Sequence, residues 1–401
     1  MSAAIPHGAL RALPRVDDLI AAARPEQPVL CLRPAVLAET ARAFRRAFPG
    51  DTLYAVKCNP DPAVLRALWD GGVRHFDCAS LGEVRLVRGL FPTAAIHFMH
   101  PIKARSAIRE AYVAHGVRDF VFDSAEELAK ILAETGNAGD LGLFVRLGLP
   151  KGSARYDLSG KFGAVPDVAA ALLAAARPRA VRLGLSFHVG SQCMEPESYT
   201  RAMITAGGVI RAAGVAVEIV DVGGGFPVAY PDLSPPPLSA FMAAIARGYA
   251  QAGLAAGTRL WAEPGRALVA GGASLVVQVQ ARRDGALFIN DGVYGSLSDA
   301  GVPAFRFPVR ALRTSDAPLV DFSFFGPTCD SADVMHGPFP LPADMAEGDW
   351  IEIGQLGAYG ACLGTNFNGF EAPHVEAVRD RPLLETPGLT KRLTTRRIRA
   401  A

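Results

Sequence analysis

The feature that most constrains this chain is a repeated alternation. Short apolar runs that read as buried strands are each followed by a segment with helical periodicity. The runs lie at residues 52–57, 73–77, 95–99, 118–122, 141–147, 181–188, 216–222 and 258–263. Helical patterns at 34–48, 62–69, Leu81–Leu90 and Leu238–Gln251 fall before or between them, and Ser124-Ala-Glu-Glu127 opens another as a capping box. Parallel strands covered on both faces are near-continuously apolar, and eight βα units in succession point to a (β/α)8 barrel spanning 35–271. An open doubly wound sheet is the alternative. Pro235-Pro236-Pro237 resembles an interdomain linker in isolation, but the alternation resumes directly after it, so it is assigned to a loop ahead of its helix.

The pattern changes after Gly271. Runs at 274–281, 286–291, Leu319–Phe325 and Trp350–Ile353 are β-rich and separated by Gly/Pro turns without regular helices. They predict a second, all-β domain over 272–401 that also takes in residues 1–34, whose stretch 28–33 reads as a strand. A length of 401 residues accommodates both parts. A net charge of +2 gives no strong field, which argues against nucleic acid or an anionic membrane as the main partner. No run of about 18 apolar residues and no N-terminal apolar h-region are present, so a cytoplasmic protein is expected. The six cysteines, Cys31, Cys58, Cys78, Cys193, Cys329 and Cys362, form no Cys-x-x-Cys pair, which favours reduced thiols over a disulfide framework or a zinc site. The basic tail carrying Arg381, Lys391, Arg392, Arg396, Arg397 and Arg399 reads as a solvated terminus.

Polar residues fall where the predicted strands end. Lys57, Asp77, Arg146, His188, the glycines Gly223, Gly224 and Gly225, and Glu263 all close a strand. Barrel chemistry collects on the C-terminal face, so six strand ends aim functional groups at one mouth. Each has a plainer reading as well. Lys57 suits a surface strand end, His188 a core histidine bonded to backbone, the glycines a tight turn, and Glu263 with Arg266 a surface ion pair. Taken together, a lysine, a histidine, a carboxylate and glycine amides with Ser191 as a phosphate cradle meet the needs of pyridoxal 5'-phosphate (PLP). No His-x-x-x-His or carboxylate set has metal-ligand spacing, so no metal is expected. In the second domain, Cys329 beside Asp330 is either a structural thiol or a proton donor next to an ammonium-binding carboxylate. Tyr359 is either core or a phosphate ligand.

Seven segments resemble the alanine-racemase-fold PLP-dependent decarboxylases of basic amino acids, the ornithine/diaminopimelate/arginine decarboxylase family, and among them the ornithine enzymes. They are Tyr-Ala-Val-Lys57-Cys-Asn, Phe-Asp77-Cys-Ala-Ser, Ser-Phe-His188-Val-Gly-Ser191, Gly-Gly-Gly-Phe226-Pro, Glu263-Pro-Gly-Arg266, Asn290-Asp-Gly-Val-Tyr294-Gly-Ser and Gly-Pro-Thr-Cys329-Asp330, with Phe367-Asn-Gly-Phe370 in further support. The resemblance implies that Lys57 carries PLP as a Schiff base, His188 stacks on its ring and Glu263 pairs with the ring nitrogen. Ser191, Gly223 to Gly225, Arg266 and Tyr359 hold its phosphate, while Asp77 and Arg146 support lysine and ring. It further implies a homodimer with shared sites, in which Cys329 protonates the product carbon and Asp330 binds the distal amine, with Tyr294 and Phe367 beside the substrate. Lys161 is expected to bridge to Asp333 across the interface. L-Ornithine decarboxylation to putrescine, a step of polyamine biosynthesis, is the expected reaction.

Two departures stand out. The ornithine enzymes carry a second substrate carboxylate about a dozen residues after Asp-Gly-Val-Tyr, where this chain has Val302-Pro303; Asp299, four residues early, substitutes only if the loop is rebuilt. Lysine and other diamino acids therefore stay open as substrates. Diaminopimelate decarboxylases have Cys-Glu-Ser and an arginine shortly before the motif tyrosine, whereas here Cys329-Asp330-Ser331 and Ile-Asn-Asp-Gly-Val precede no such clamp. An amino-acid racemase shares the fold but needs a tyrosine base on the opposite ring face. A non-catalytic regulatory homologue is expected to lack Lys57, the phosphate ligands or Cys329, and none is missing.

Overall fold

The computed structural model describes residues 13–389 apart from 151, 153 and 157–159; the basic tail residues from Lys391 onward lie outside the described residues. A helix, Val16–Ala23, leads to strand β1 (Val29–Leu32) and to the helix Pro34–Ala47, whose N1 proline has no amide hydrogen to leave unpaired. The strand series then runs β2 (Asp51–Ala55), β3 (His75–Cys78), β4 (Ala95–Phe98), β5 (Asp119–Phe122), β6 (Gly142–Arg146), β7 (Ala154–Tyr156), β8 (Arg182–Ser186), β9 (Ser191–Cys193), β10 (Ile219–Asp221) and β11 (Arg259–Ala262). All but β7 and β9 close into an eight-stranded parallel barrel in the order β10-β11-β2-β3-β4-β5-β6-β8. These eight strands fall one for one within the eight apolar runs, and β7 pairs with β9 beside the mouth. Helices Pro62–Asp70, Leu81–Leu90, Arg105–Val113, Ala125–Glu134, Pro166–Ala176, Glu197–Ala213 and Leu238–Gln251 ring the outside, the last beginning directly after Pro237.

Most strands stop short of their apolar runs. Lys57 lies in a single 3-10 turn, Val56–Cys58, and His188 and Glu263 lie one or two residues beyond β8 and β11. Leaving the ladder lets these side chains turn into the mouth instead of alternating across the sheet. Only half of the expected capping box forms: Ser124 Oγ accepts the Glu127 amide at 3.2 Å, but the Glu127 carboxylate accepts from the Lys103 amide at 3.1 Å and pairs with Lys103 Nζ at 2.9 Å. A buried lysine draws that carboxylate more strongly than a helix-end amide does.

The second sheet contains β12 (Ala273–Arg283), β13 (Ala286–Ile289), β14 (Val309–Ala311), β15 (Leu319–Phe325), β16 (Val334–Pro342), β17 (Trp350–Ile353) and β18 (His374–Ala377), in the order β14-β17-β12-β13-β15-β16. Strand β1 joins it, antiparallel to β12 and parallel to β18, so the N-terminal strand belongs to this sheet. Among strands that sequence reasoning did not anticipate, β16 holds Pro338, Pro340 and Pro342. Their missing amide hydrogens are tolerated because β16 is an edge, paired on one side only with β15. The sheet's own core is rich in phenylalanine, including Phe305, Phe322, Phe324 and Phe339.

A buried ionic network joins the two parts. Glu352 on β17 accepts from Arg33 Nη2 at 2.8 Å, Arg310 Nε at 2.6 Å and Ser274 Oγ at 2.6 Å, and Arg310 continues to Asp17 at 2.9 Å. Arg33 immediately precedes the helix Pro34–Ala47, so the network links barrel to sheet. Replacing Glu352 by Ala removes the carboxylate shared by two guanidinium groups, leaving Arg310 its bond to Asp17 and Arg33 a longer contact to Asp380, and is expected to lower stability by about 3 kcal/mol, read as a shift of the urea midpoint; Arg33→Met with Glu352→Leu together is expected to recover part of the loss.

Candidate active site

The strand ends converge on a cavity of about 400 Å³ lined by Lys57, Arg146, Lys161, His188, Ser191, Gly224, Gly225, Glu263, Arg266 and Tyr359, with Met99, His100 and Phe162 among the other walls. The β2–β3 register pairs Ala55 with Asp77, which brings Lys57 Nζ within 2.9 Å of Asp77 Oδ2. The lysine side chain is 44 % exposed toward the cavity while Asp77 is 1 % exposed, so the amine is reachable and its partner is sealed. Burial alone lowers the ammonium pKa, but the charges of Asp77, Tyr359 and Glu263 outweigh it and raise it above the ordinary lysine value. The turn is pinned on both sides: Tyr54 donates to Asn59 O at 3.0 Å, and Asn59 Nδ2 donates to Gly357 O at 2.9 Å.

His188 Nδ1 accepts the Gly190 amide at 2.9 Å. Burial first, then the charges of Arg146 and Lys57, push its pKa well below the ordinary histidine value. The ring is therefore neutral with hydrogen on Nε2, an uncharged flat surface facing the cavity.

The three glycines follow β10. Gly223 and Gly225 have φ of +66° and +103°, the left-handed region that glycine enters without strain. A Cβ on Gly224 would lie 2.6 Å from Glu263 O and 3.1 Å from His188 Nε2. Glycine is thus required for the backbone to come this close to the histidine.

Glu263 is 4 % exposed and its Oε1 has no hydrogen-bond partner. Burial, then Asp221 and Asp77, hold its carboxyl well above the usual range. Asp221, fully buried behind it, is raised to about 6 by burial chiefly, and its Oδ1 accepts the Gly223 amide at 2.8 Å. Glu83, raised to about 7 by burial with the Asp77 charge adding to it, accepts the Ala79 amide at 2.7 Å near the Lys57–Asp77 pair.

Arg266 is 5 % exposed and follows Glu263-Pro-Gly. Its Nη1 reaches Tyr230 OH at 2.9 Å and Asp299 Oδ2 at 2.8 Å, and its guanidinium lies 4.9 Å from the Tyr359 ring centre. The buried Nε has no partner. The Asp299 carboxylate, which the sequence offered to a substrate only if its loop is rebuilt, is 3 % exposed and engaged by Arg266. Tyr359, at φ +51°, donates its amide to Cys58 O at 2.9 Å and so ties the second domain to the lysine turn.

Cys329, Asp330, Tyr294 and Phe367 do not line this cavity. They gather on a separate face of the second domain, where Tyr294 OH donates to Asp330 Oδ2 at 2.5 Å and packs 4.9 Å from Phe367. The Ala332 amide, then the Tyr294 hydroxyl, hold the Asp330 carboxyl below the usual range, so it is ionised. Cys329 is exposed, with its amide on Asn368 Oδ1 at 3.1 Å. Asp333 is 2 % exposed and accepts from the Val293 amide at 2.8 Å and from Thr328 Oγ1 at 2.8 Å of its own chain. Lys161 stands at the cavity, 5.1 Å from the Phe162 ring centre. Among the described residues no cluster of metal-ligating side chains occurs.

Sequence reasoning missed Asp221, Glu83 and Tyr230. Asp221 had a signal, an acid closing the seventh barrel strand directly before Val222 and the glycines; Glu83 and Tyr230 are reached only through the fold.

This donor set fits a flat, phosphorylated, cationic ring: an amine, a neutral histidine face, a buried carboxyl with an orphaned oxygen, and a glycine cradle beside an unpartnered arginine Nε. Fold and site together define a barrel enzyme built to hold pyridoxal phosphate. Residues 35–270 match the sequence profile of the pyridoxal-dependent decarboxylase, pyridoxal binding domain family, and the chain belongs to that family. It is similar to the ornithine decarboxylase of Panagrellus redivivus, 35 % identical over 80 % of this chain and 78 % of that one. Among solved structures it is similar to the lysine/ornithine decarboxylase from Vibrio vulnificus complexed with putrescine (TM-score 0.79, 34 % identity, 90 % of this chain and 98 % of that one). It is likewise similar to the Paramecium bursaria Chlorella virus arginine decarboxylase bound to agmatine (TM-score 0.80, 31 % identity, 90 % and 99 %). The protein is a PLP-dependent carboxy-lyase.

Glu83 generates a pH prediction. A folded-state pKa raised from 4.5 to about 7 makes protonation favour the fold, so the stability it confers is complete below about pH 4.5 and lost as pH rises toward 7. Glu83→Gln is expected to abolish that decline, by at most about 3 kcal/mol, in denaturation midpoints measured across this range.

Proposed function

We propose that the protein decarboxylates a basic L-amino acid, with L-ornithine to putrescine as the main reaction, a step of polyamine biosynthesis, and L-lysine or another diamino acid as the alternative substrate. The observation that carries the decarboxylase reading is Lys57 Nζ on buried Asp77 at an open barrel mouth beside neutral His188. The observation that favours an amine-ended substrate is the ionised, exposed Asp330 carboxylate held by Tyr294.

The bound cofactor supplies a cationic ring that accepts the electron pair of the breaking Cα–carboxylate bond. Lys57 would anchor it covalently through Nζ, a lysine amine held on a buried acid at the mouth. Asp77 keeps the lysine oriented. His188, neutral, would cover one face of the ring and exclude water, and Glu263, with Arg146 nearby, would serve the ring nitrogen. The Ser191 region, the amides of Gly223 to Gly225, Arg266 Nε and Tyr359 receive the phosphate, where oriented N–H groups favour an anion. Cys329 delivers a proton to the substrate carbon after carbon dioxide leaves, and Asp330 binds the distal ammonium with Tyr294 and Phe367 alongside.

Because Cys329 and Asp330 lie outside the Lys57 cavity of their own chain, this division of roles requires a homodimer in which each cavity is completed by the partner. Lys161, exposed at the cavity, is positioned to contribute to that contact, with Asp333 holding the Cys329 loop from within. Six free thiols favour a reducing, cytoplasmic setting. No helix among the described residues is long and apolar enough to cross a membrane.

The first test is amine formation from L-ornithine, L-lysine, L-arginine and meso-diaminopimelate by the purified, PLP-loaded protein. Putrescine is expected to dominate; cadaverine or agmatine would reassign the substrate, and no product from any of the four would reject the basic amino-acid reading. Lys57→Ala is expected to remove turnover. Mixing equal amounts of inactive Lys57→Ala and Cys329→Ala is expected to restore roughly a quarter of wild-type activity, since half the dimers are mixed and each then has one intact site; no recovery after subunit exchange would exclude shared sites.

A further inference from the structure

Two acids stand back to back at the rear of the cavity. The parallel register of β10 and β11 pairs Asp221 with Trp261 and runs on past both strands, with the Glu263 amide on Gly223 O at 2.9 Å. The two acids therefore stand on adjacent strand ends in the same buried layer, and each shifts the other's pKa, Asp221 raising that of Glu263 by its charge and Glu263 lowering that of Asp221 by side-chain contact. Asp221 Oδ1 is already occupied by the Gly223 amide at 2.8 Å. Its other oxygen, Oδ2, and Glu263 Oε1 are both buried and have no partner. Two ionised carboxylates cannot hydrogen-bond each other, because neither carries a donor. A single proton between the two orphaned oxygens would satisfy both at once.

We propose that Asp221 and Glu263 form a one-proton dyad in which Asp221 is the positioning residue: when Glu263 faces a cationic ring nitrogen, Asp221 keeps the proton and donates it to the buried oxygen of Glu263. The proton moves only within the dyad, from the Glu263 side to the Asp221 side. The Glu263 O–H bond is replaced by an Asp221 O–H bond, and no proton is exchanged with water. The surrounding charges fit this. Lys57 and Arg146 face the pair and favour its negative charge, while Asp77 opposes a second one. Through its Oδ1 the same aspartate fixes Gly223, so a single side chain sets both the carboxylate and the start of the glycine cradle.

The inference rests on the cofactor reading above, and the test separates the two. Asp221→Asn reproduces a protonated aspartic acid: its amide nitrogen donates to Glu263 and its oxygen still accepts from Gly223. Asp221→Leu keeps volume but neither bond. PLP affinity, measured by the absorbance of the bound cofactor on refolding-checked protein, is expected to stay within about threefold of wild type in Asp221→Asn and to fall roughly ten- to hundredfold in Asp221→Leu. In the infrared difference spectrum of PLP-loaded wild type minus PLP-loaded Asp221→Asn at neutral pH, a protonated-carboxyl stretch is expected. Absence of that band, or an Asn variant as impaired as the Leu variant, would overturn the dyad while leaving the cofactor reading intact. Failure of the wild type to take up PLP at all would overturn both. Should the Leu variant not fold, the infrared comparison decides alone.

Discussion

Burial of carboxyl groups around one lysine is the constraint on which the rest of the site depends. Asp77, Glu83, Asp221 and Glu263 come within reach of Lys57 and Arg146, in a place where an unpaired charge is costly. Each acid is accommodated differently. Asp77 is paired with the ammonium, Glu83 takes a backbone amide and a raised pKa, and Asp221 with Glu263 share a proton. The negative surplus keeps Lys57 protonated and His188 is kept neutral by burial and by the cations beside it, so two bases lining the same mouth sit in opposite states.

The second domain acts at two places. Its 357–362 segment holds the lysine turn through Tyr359 to Cys58, Gly357 to Asn59 and the Cys362 thiol on Cys58 O at 3.3 Å. The short helix Ser298–Gly301 supplies Asp299, which with Tyr230 fixes one side of Arg266 and leaves Nε for an anion. The barrel therefore brings the functional groups together, and the β-sheet domain sets the orientation of two of them.

The barrel was legible because a parallel strand covered on both faces must be apolar throughout, and eight such runs leave few other folds. Lys57, His188, the glycines and Glu263 were legible because they interrupt that pattern at strand ends. Strand β16 was hidden by its prolines, which only an edge position excuses. The pairing of Asp299 was not legible because its partner, Arg266, is 33 residues away on the barrel. The inward bonds of Asp333, to the Val293 amide and to Thr328, were equally out of reach of the sequence, since Val293 lies 40 residues away.

The amino-acid sequence by itself determined the architecture and the inventory of the site, because periodicity and strand ends are local properties of the chain. Tertiary structure alone decided which charges meet. Asp221 with Glu263, Arg266 with Asp299, and the separation of Cys329 from Lys57 depend on strand register and domain docking. Proton sharing and pKa shifts follow from burial and from partners distant in the chain, and these exist only once it has folded.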